Sequence, residues 1–325
     1  MVTRAVRRAA ELRLANAKLQ RALRSERHLV VGPFLGELGY ELLYWRPYVL
    51  RLLRSHGVAP ARVTVVGRGG SGAWYGEFAD GAVDAFELMP AADVLAGSEA
   101  RVRRTGQRKQ LDVDELDREL FRRAAPAAAM VHPLHMFWSW RFAWEGLRLP
   151  EAAIAAGDFE PLPHGDVPVE VAGRLPPRFV ALKAYFNECV PDGETTRAAY
   201  AALVRDLAER VPVVLLQPGF AADDHDDWAG GPTGVVRVDD VLRPETNLAV
   251  QAAIVARAAA LVSTYGGFCY LGPFLGVPTA ALGEQAGENR HHERVLRAAL
   301  PSATYERFRI ERVTEVVRFL TDATG

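Results

Sequence analysis

One pattern limits this chain more than any other. Short apolar runs, most of them closing on glycine or a polar turn, alternate with stretches of helical apolar spacing, and the series occurs twice. In the first half His28–Phe34 (HLVVGPF), Arg62–Val66, Val83–Leu88 and Ala127–His132 read as strands, with Tyr40–His56 and Val113–Ala124 as helices. In the second half Arg178–Tyr185, Val211–Gln217, Val235–Val238, Leu261–Thr264 and Val277–Leu282 read as strands. Thr195–Arg210, Asn247–Ala259 with Thr246 as its N-cap, Phe268–Leu275 and Ile310–Thr321 read as the helices between and after them. Strands joined through helices need crossover connections, which make the sheet parallel. The expectation is an α/β chain with two Rossmann-like domains. Between the halves the pattern fades and prolines gather (Pro150, Pro161, Pro163, Pro168, Pro176, Pro177). This predicts a linker over 161–177, separating a domain at 29–160 from one at 178–300, with a closing helix in 301–325. At 325 residues the chain can bury two cores.

Composition excludes several classes. Apolar residues make up 49% and charged residues 24%, too apolar for a disordered chain. The formal net charge of −1 gives no overall field for nucleic acid, so no nucleic-acid partner is expected. The charge is unevenly placed: residues 1–28 carry eight bases against two acids, and the remainder 31 bases against 38 acids. The first 28 residues read as a basic helical arm with Leu12, Leu19 and Leu23 on one stripe. It is either a solvated helix or a surface for peripheral membrane association or self-association. The two cysteines, Cys189 and Cys269, form no CxxC pair, and no apolar leader opens the chain, so a cytoplasmic protein without disulfides is expected. Ala258–Gly283 is uncharged and long enough to span a bilayer. Its five glycines and two prolines argue instead for strand, loop, helix, loop and strand buried in protein.

Two loops carry most of the chemistry. In Ser263–Pro278 (STYGGFCYLGPFLGVP) an apolar strand ends at Ser263-Thr264, Gly266-Gly267 turn the chain, and a helix starts at once. Glycines allow a ligand close to the backbone, and the free N–H groups and dipole of a helix start suit phosphate. A tight turn with no ligand fits the same residues. In Gly32–Pro47 (GPFLGELGYELLYWRP) a strand again leads through glycines into a helix, but this loop offers Glu37 and Glu41. A carboxylate at the carboxyl edge of a sheet can take a proton from a hydroxyl. Charge complementarity at a helix start explains Glu41 equally and Glu37 less well.

The order of these pieces resembles bacterial glycosyltransferases of the GT-B class, two Rossmann-like domains facing across a cleft, with the heptosyltransferases comparable in layout. Asn247–Gly283 (NLAVQAAIVARAAALVSTYGGFCYLGPFLGVPTAALG) is similar to their donor-domain pattern, and Gly36–Pro47 to their acceptor-domain loop. Tyr265-Gly266-Gly267 stands where some of these families have His-Gly-Gly. The resemblance implies a nucleotide-sugar donor as co-substrate, a glycan or lipid-linked acceptor, and a role in cell-surface polysaccharide or glycoconjugate synthesis. No cofactor or obligatory metal is implied. Thr264, Tyr265, Gly266, Gly267 and Phe268 would bind the donor's phosphates, Lys183 would neutralise the leaving phosphate, and Glu284 would reach a ribose. Glu37 or Glu41 would be the base of an inverting transfer. Nucleotide-sugar epimerisation, pyruvyl transfer on the same scaffold, and a non-catalytic scaffold using the arm are the rival readings.

Weaker features have a plain alternative each. Arg68 in Arg68-Gly69-Gly70 either orients an acceptor or is solvated. His132, three residues before His135, is a cleft hydrogen-bond donor or a core histidine. Asp223–Asp227 with His225 is a solvated acidic loop, a divalent-ion site, or, through His225, a donor contact. Phe137–Trp144 packs internally or forms an acceptor or membrane-interface surface.

Overall fold

The computed structural model describes residues 2–107, 109–137, 159–187, 189–220, 226–228, 230–232, 234–283 and 290–324, with only the backbone of residues 2–12. The chain divides into two compact units, Met1–Asp158 and Phe159–Gly325. Both are α/β, each built on a parallel sheet. Glu284, His225, Asp223, Asp224 and all of the aromatic run Phe137–Trp144 except Phe137 lie outside the described residues.

Unit 1 holds β1 (Leu29–Val31), β2 (Val63–Gly67), β3 (Gly81–Asp84) and β4 (Ala129–Val131), ordered β3-β2-β1-β4 and parallel throughout. Leu29, Val30 and Val31 are paired on both sides and fully buried, which is why this run is apolar without alternation. Gly32 follows at φ +110°, and a Cβ there would lie 2.3 Å from the Val66 carbonyl oxygen, so the exit from β1 admits only glycine. The chain then enters a continuous helix: α2 (Leu38–Tyr40), a π-helical turn over Glu41–Trp45, and α3 (Arg46–Ser55). The wide turn is marked by the Arg46 amide donating to the Glu41 carbonyl, five residues back.

Val83–Leu88 departs from the strand expected there. Pairing stops at Asp84, whose side chain accepts from the Phe86 amide while Glu87 reaches back to the Asp84 amide, and this capping box starts α4 (Ala85–Leu88). Next come α5 (Ala91–Thr105), which the apolar spacing did not reveal, and α6 (Glu115–Ala124), capped by Asp114. Leu35, Ala85, Val94, Leu116 and Leu120 form a buried cluster under these helices. The basic arm is α1 (Val2–Leu23). Its last turns are not solvated all round: Leu19, Ala22 and Leu23 are buried, and Arg62 donates to the backbone carbonyls of Ala22, Ser25 and Arg27.

Unit 2 opens with α7 (Val169–Ala172) and carries β5 (Val180–Lys183), α8 (Glu194–Ala208), β7 (Val213–Leu215), β9 (Val236–Arg237), α9 (Asn247–Arg257), β10 (Ala260–Thr264), α10 (Leu271–Phe274), β11 (Thr279–Leu282), α11 (Arg290–Ala299), β12 (Tyr305–Phe308) and α12 (Val313–Thr324). The sheet order is β12-β11-β10-β5-β7-β9, all parallel, with β10 in the middle. A two-residue pairing of β6 (Tyr185–Phe186) with β8 (Asp226–Asp227) runs antiparallel beside it. One face packs Leu182, Leu215, Val262 and Leu282 against Leu203 and Leu207 of α8 and Val316 and Leu320 of α12. The C-terminal stretch is more than the helix expected: β12 extends the sheet before α12 begins. The Thr246 side chain makes no capping bond; its backbone is at φ −123°, ψ −3°. Uncharged Ala258–Gly283 forms β10, a turn, α10 and β11, and among the described residues no helix is long and apolar enough to cross a membrane.

Candidate functional site

The carboxyl edge of the unit 1 sheet is organised by buried charge. Gln110 grips the loop after β1 on both sides of Phe34: its Nε2 donates to the Pro33 carbonyl (2.8 Å) and its Oε1 accepts from the Leu35 amide (2.8 Å). The same Nε2 donates to Asp117 (2.9 Å), which also accepts from Arg101 (2.7 Å) and His132 Nε2 (3.0 Å). His132 Nδ1 accepts from the Leu134 amide (3.1 Å), so the proton facing Asp117 is on Nε2. Burial opposes ionisation of Asp117, but the His132 bond and the Arg101 guanidinium outweigh it and hold the carboxyl below the usual range. His132 is therefore a core histidine, fully buried, whose partner supports the loop.

Glu37 and Glu41 occupy opposite environments. Glu37 is exposed at the start of α2, where its carbonyl accepts from the Tyr40 and Glu41 amides. Glu41 is 1% exposed. Its Oε1 accepts from Ser71 Oγ (3.0 Å) and Tyr75 OH (3.2 Å), and its Oε2 has no hydrogen-bond partner among the described residues. Burial pushes the Glu41 carboxyl up to about 7, opposed by the Ser71 and Tyr75 hydroxyls and by the charges of Arg68 and Arg46. Arg68 is buried, at the head of a turn in which Gly70, at φ +83°, donates its amide to Asp84 (2.7 Å). Burial raises Asp84 to about 6 against that amide bond and the one from Phe86. Sequence reasoning found Glu37, Glu41, Arg68 and His132 but not Gln110, Arg101, Asp117, Ser71 or Tyr75.

The unit 2 edge centres on the end of β10. Thr264 is fully buried and its hydroxyl serves the sheet: it accepts from the Tyr185 amide (2.9 Å), donates to the Tyr185 carbonyl (2.8 Å) and meets Tyr200 OH. Tyr265 is anchored through its amide to the Leu282 carbonyl (2.6 Å) and accepts at its hydroxyl from Tyr270 (3.3 Å). Gly266 and Gly267 are partly exposed, and a 3-10 turn over Gly267–Tyr270 leads into α10. The amides of Gly266, Gly267 and Phe268 have no acceptor among the described residues. A Cβ on Gly266 would lie 2.3 Å from Tyr185 OH, so the glycine is required for packing as well as for access. Lys183, the last residue of β5, donates to Asp227 (2.7 Å) and stands 6.0 Å over the Phe268 ring. Asp227 is held there by the β6–β8 pairing, in which it faces Tyr185. Part of the acidic run is thus the partner of Lys183; among the described residues no cluster of three metal-ligating side chains occurs. Arg307 of β12, which sequence reasoning passed over, stacks its guanidinium 3.9 Å over the Tyr265 ring and meets Glu293 at 3.5 Å.

No family model matches the sequence, and no curated protein matches it. Among solved structures the chain is similar to a family 9 glycosyltransferase from Veillonella parvula, at 13% identity over 92% of this chain and 98% of that one, with a TM-score of 0.49. It is similar to the ADP-heptose LPS heptosyltransferase II of E. coli, at 13% identity over 92% of this chain and 100% of that one, with a TM-score of 0.48. It is similar also to the E. coli heptosyltransferase WaaC, solved with ADP, at 13% identity over 91% and 99% of the two chains, with a TM-score of 0.45.

Proposed function

We propose that this protein is a nucleotide-sugar-dependent glycosyltransferase in which unit 2 binds the donor and unit 1 supplies the base. The observation that carries the reading is the turn after β10. Three consecutive amides without an acceptor among the described residues, two of them on the partly exposed Gly266 and Gly267 at the carboxyl end of β10, suit the oxygens of a diphosphate. Lys183 stands beside that turn and offsets the charge that develops as the nucleoside diphosphate leaves, once the phosphate competes with Asp227.

The base is Glu37. A base must touch the hydroxyl that it deprotonates, and Glu37 is exposed at the loop that Gln110 fixes. Glu41 is enclosed by Ser71 and Tyr75, and its part is to hold the turn at Arg68. A single displacement with Glu37 taking the acceptor's proton inverts the anomeric centre. Thr264 has no part in donor contact, because its hydroxyl is spent on the sheet.

A thermal-shift panel of ADP, UDP, GDP and dTDP tests the donor half. A ligand at a hundred times its Kd stabilises the folded chain by about 2.7 kcal/mol, so one of the four raises the Tm and the matching nucleosides do not. No shift with any of them rejects the assignment. Once the donor is known, Glu37→Gln retains that shift and abolishes transfer; transfer at the wild-type rate removes Glu37 from the chemistry. Donor sugar rearranged without any acceptor points to an epimerase instead.

A further inference from the structure

We infer that Arg307 is a second cationic anchor for the donor's diphosphate, placed symmetrically to Lys183 across the Gly266-Gly267 turn. The inference rests on the donor site proposed above and adds a residue that neither the sequence pattern nor the turn itself indicates.

The argument begins with strand register. Lys183 pairs with Ser263, Ser263 with Ala281, and Ala281 with Arg307, so the four residues form one row across β5, β10, β11 and β12. Register partners in a parallel sheet direct their side chains to the same face. The rows on either side, Leu182, Val262 and Ala280 before it and Leu282 with Phe308 after it, face the apolar core, so Lys183 and Arg307 belong to the opposite face. Three strand spacings separate their Cα atoms, about 14 Å at the usual spacing. The two residues between them are small, serine and alanine, and both are fully buried.

The turn after β10 rises from the middle of that row, and each cation stands over one of the two rings that bracket its glycines. Arg307 lies 3.9 Å over Tyr265, the residue before Gly266, and Lys183 lies 6.0 Å over Phe268, the residue after Gly267. Each cation also meets a carboxylate, Lys183 meeting Asp227 at 2.7 Å and Arg307 meeting Glu293 at 3.5 Å. The second contact is at the outer limit of hydrogen bonding. Both cations are mostly enclosed, 11% and 13% exposed, so solvent screens them less than it screens surface charges. A planar guanidinium held flat on a ring presents its edge as a fork of donors, the geometry that matches phosphate oxygens. Two positive groups flanking three amides neutralise most of the charge of a bound diphosphate, and Glu293 competes with the phosphate for Arg307.

Isothermal titration of the full chain with ADP, UDP, GDP and dTDP, and with the matching nucleosides, tests this. Arg307→Gln weakens nucleoside diphosphate binding about ten- to a hundred-fold, as expected for the loss of a charge-assisted bond, and leaves the nucleoside unaffected. Arg307→Lys keeps the charge without the fork and falls between. Glu293→Gln, which removes a competing carboxylate, tightens the diphosphate several-fold and makes its affinity more dependent on salt. Equal diphosphate affinity in wild type and Arg307→Gln overturns the inference while leaving the donor site standing. Equal loss for diphosphate and nucleoside also overturns it, since Arg307 then acts on the base or the fold. If Arg307→Gln does not fold, Arg307→Lys and Glu293→Gln decide, and two wild-type affinities reject it. Binding of no nucleoside diphosphate by the wild-type chain rejects the donor site and this inference together.

Discussion

In unit 1 the strand ends gather Glu41, Arg46, Arg68, Asp84, Arg101, Asp117 and His132, every one of them buried. In unit 2 the corresponding edge gathers Tyr265, Phe268, Tyr270 and Tyr305 in its interior and leaves its charges, Lys183, Asp227, Glu293 and Arg307, at the rim. Both edges sit at a strand–glycine–helix passage. The difference lies in what holds the turn in place. Unit 1 fixes its loop by directional hydrogen bonds that converge on a buried carboxylate, Asp117, which tolerate little change in charge. Unit 2 fixes its turn by the fit of aromatic rings and keeps its cations where an anion can reach them. An acid working from a rigid loop suits proton abstraction, and an enclosed, cation-flanked turn suits phosphate.

The largest test of that contrast is Asp117→Asn. The substitution leaves Arg101 buried with Asp114 as its remaining acid and turns one of the two oxygens, Oδ1 serving Arg101 and Gln110 and Oδ2 serving His132, into an amide donor. Breaking a buried ion pair by removing one partner costs about 3–5 kcal/mol. Urea unfolding followed by fluorescence measures it, and a loss below about 1 kcal/mol means that the network is not what holds unit 1's edge.

Glu41 gives a second test, of opposite pH sign to Asp117. Burial disfavours the charge and pushes its folded carboxyl up to about 7, against an ordinary value of 4.5. The folded chain therefore binds more protons than the unfolded chain between those values, and stability falls as pH rises through that window. The stability is complete below 4.5 and lost above 7, a difference of about 3 kcal/mol. Asp84, raised to about 6, adds slope of the same sign in wild type and variant alike. Glu41→Gln keeps an acceptor for Ser71 and Tyr75 and removes the titration, so its advantage over wild type grows from pH 5 to pH 8. Parallel stability curves for the two proteins over that range contradict the buried-acid account.

The contrast between the edges was only partly legible in the sequence. The parallel order of the strands followed from alternation, because a crossover helix leaves a local 3.6-residue period. Val83–Leu88 misled because its apolar content suits either state; the signal that decides it, Asp84 and Glu87 at capping-box spacing, spans only four residues. Gly266-Gly267 and Glu37 were visible because their chemistry is local to one turn. Gln110, Asp117 and Arg101 carry no local mark, since their meaning arises when α5, α6, β4 and the loop after β1 converge. Arg307 was invisible for the same reason: only register across four strands places it level with Lys183. Nor does sequence spacing separate Glu37 from Glu41, four residues apart, because burial is a property of the packed sheet and of Ser71 and Tyr75 beyond it.

The smallest expected effect is the most specific to unit 2. If its turn is held by shape, a methyl group at Gly266 has a cost that another side chain can relieve. The added Cβ would meet Tyr185 OH at 2.3 Å and the ring carbon bearing it at 3.3 Å. Tyr185 is 2% exposed and has little room to withdraw, so Gly266→Ala costs about 1–3 kcal/mol of stability. The φ of 164° at Gly266 is extended backbone open to alanine, which leaves the contact as the source of the cost. Tyr185→Phe deletes the clashing oxygen, and the double variant regains most of what Gly266→Ala loses, a coupling that a double-mutant cycle on urea midpoints reads directly. Additive losses would mean that alanine harms the turn by some route other than the hydroxyl, and unit 2 would then owe its edge to more than the fit of its rings.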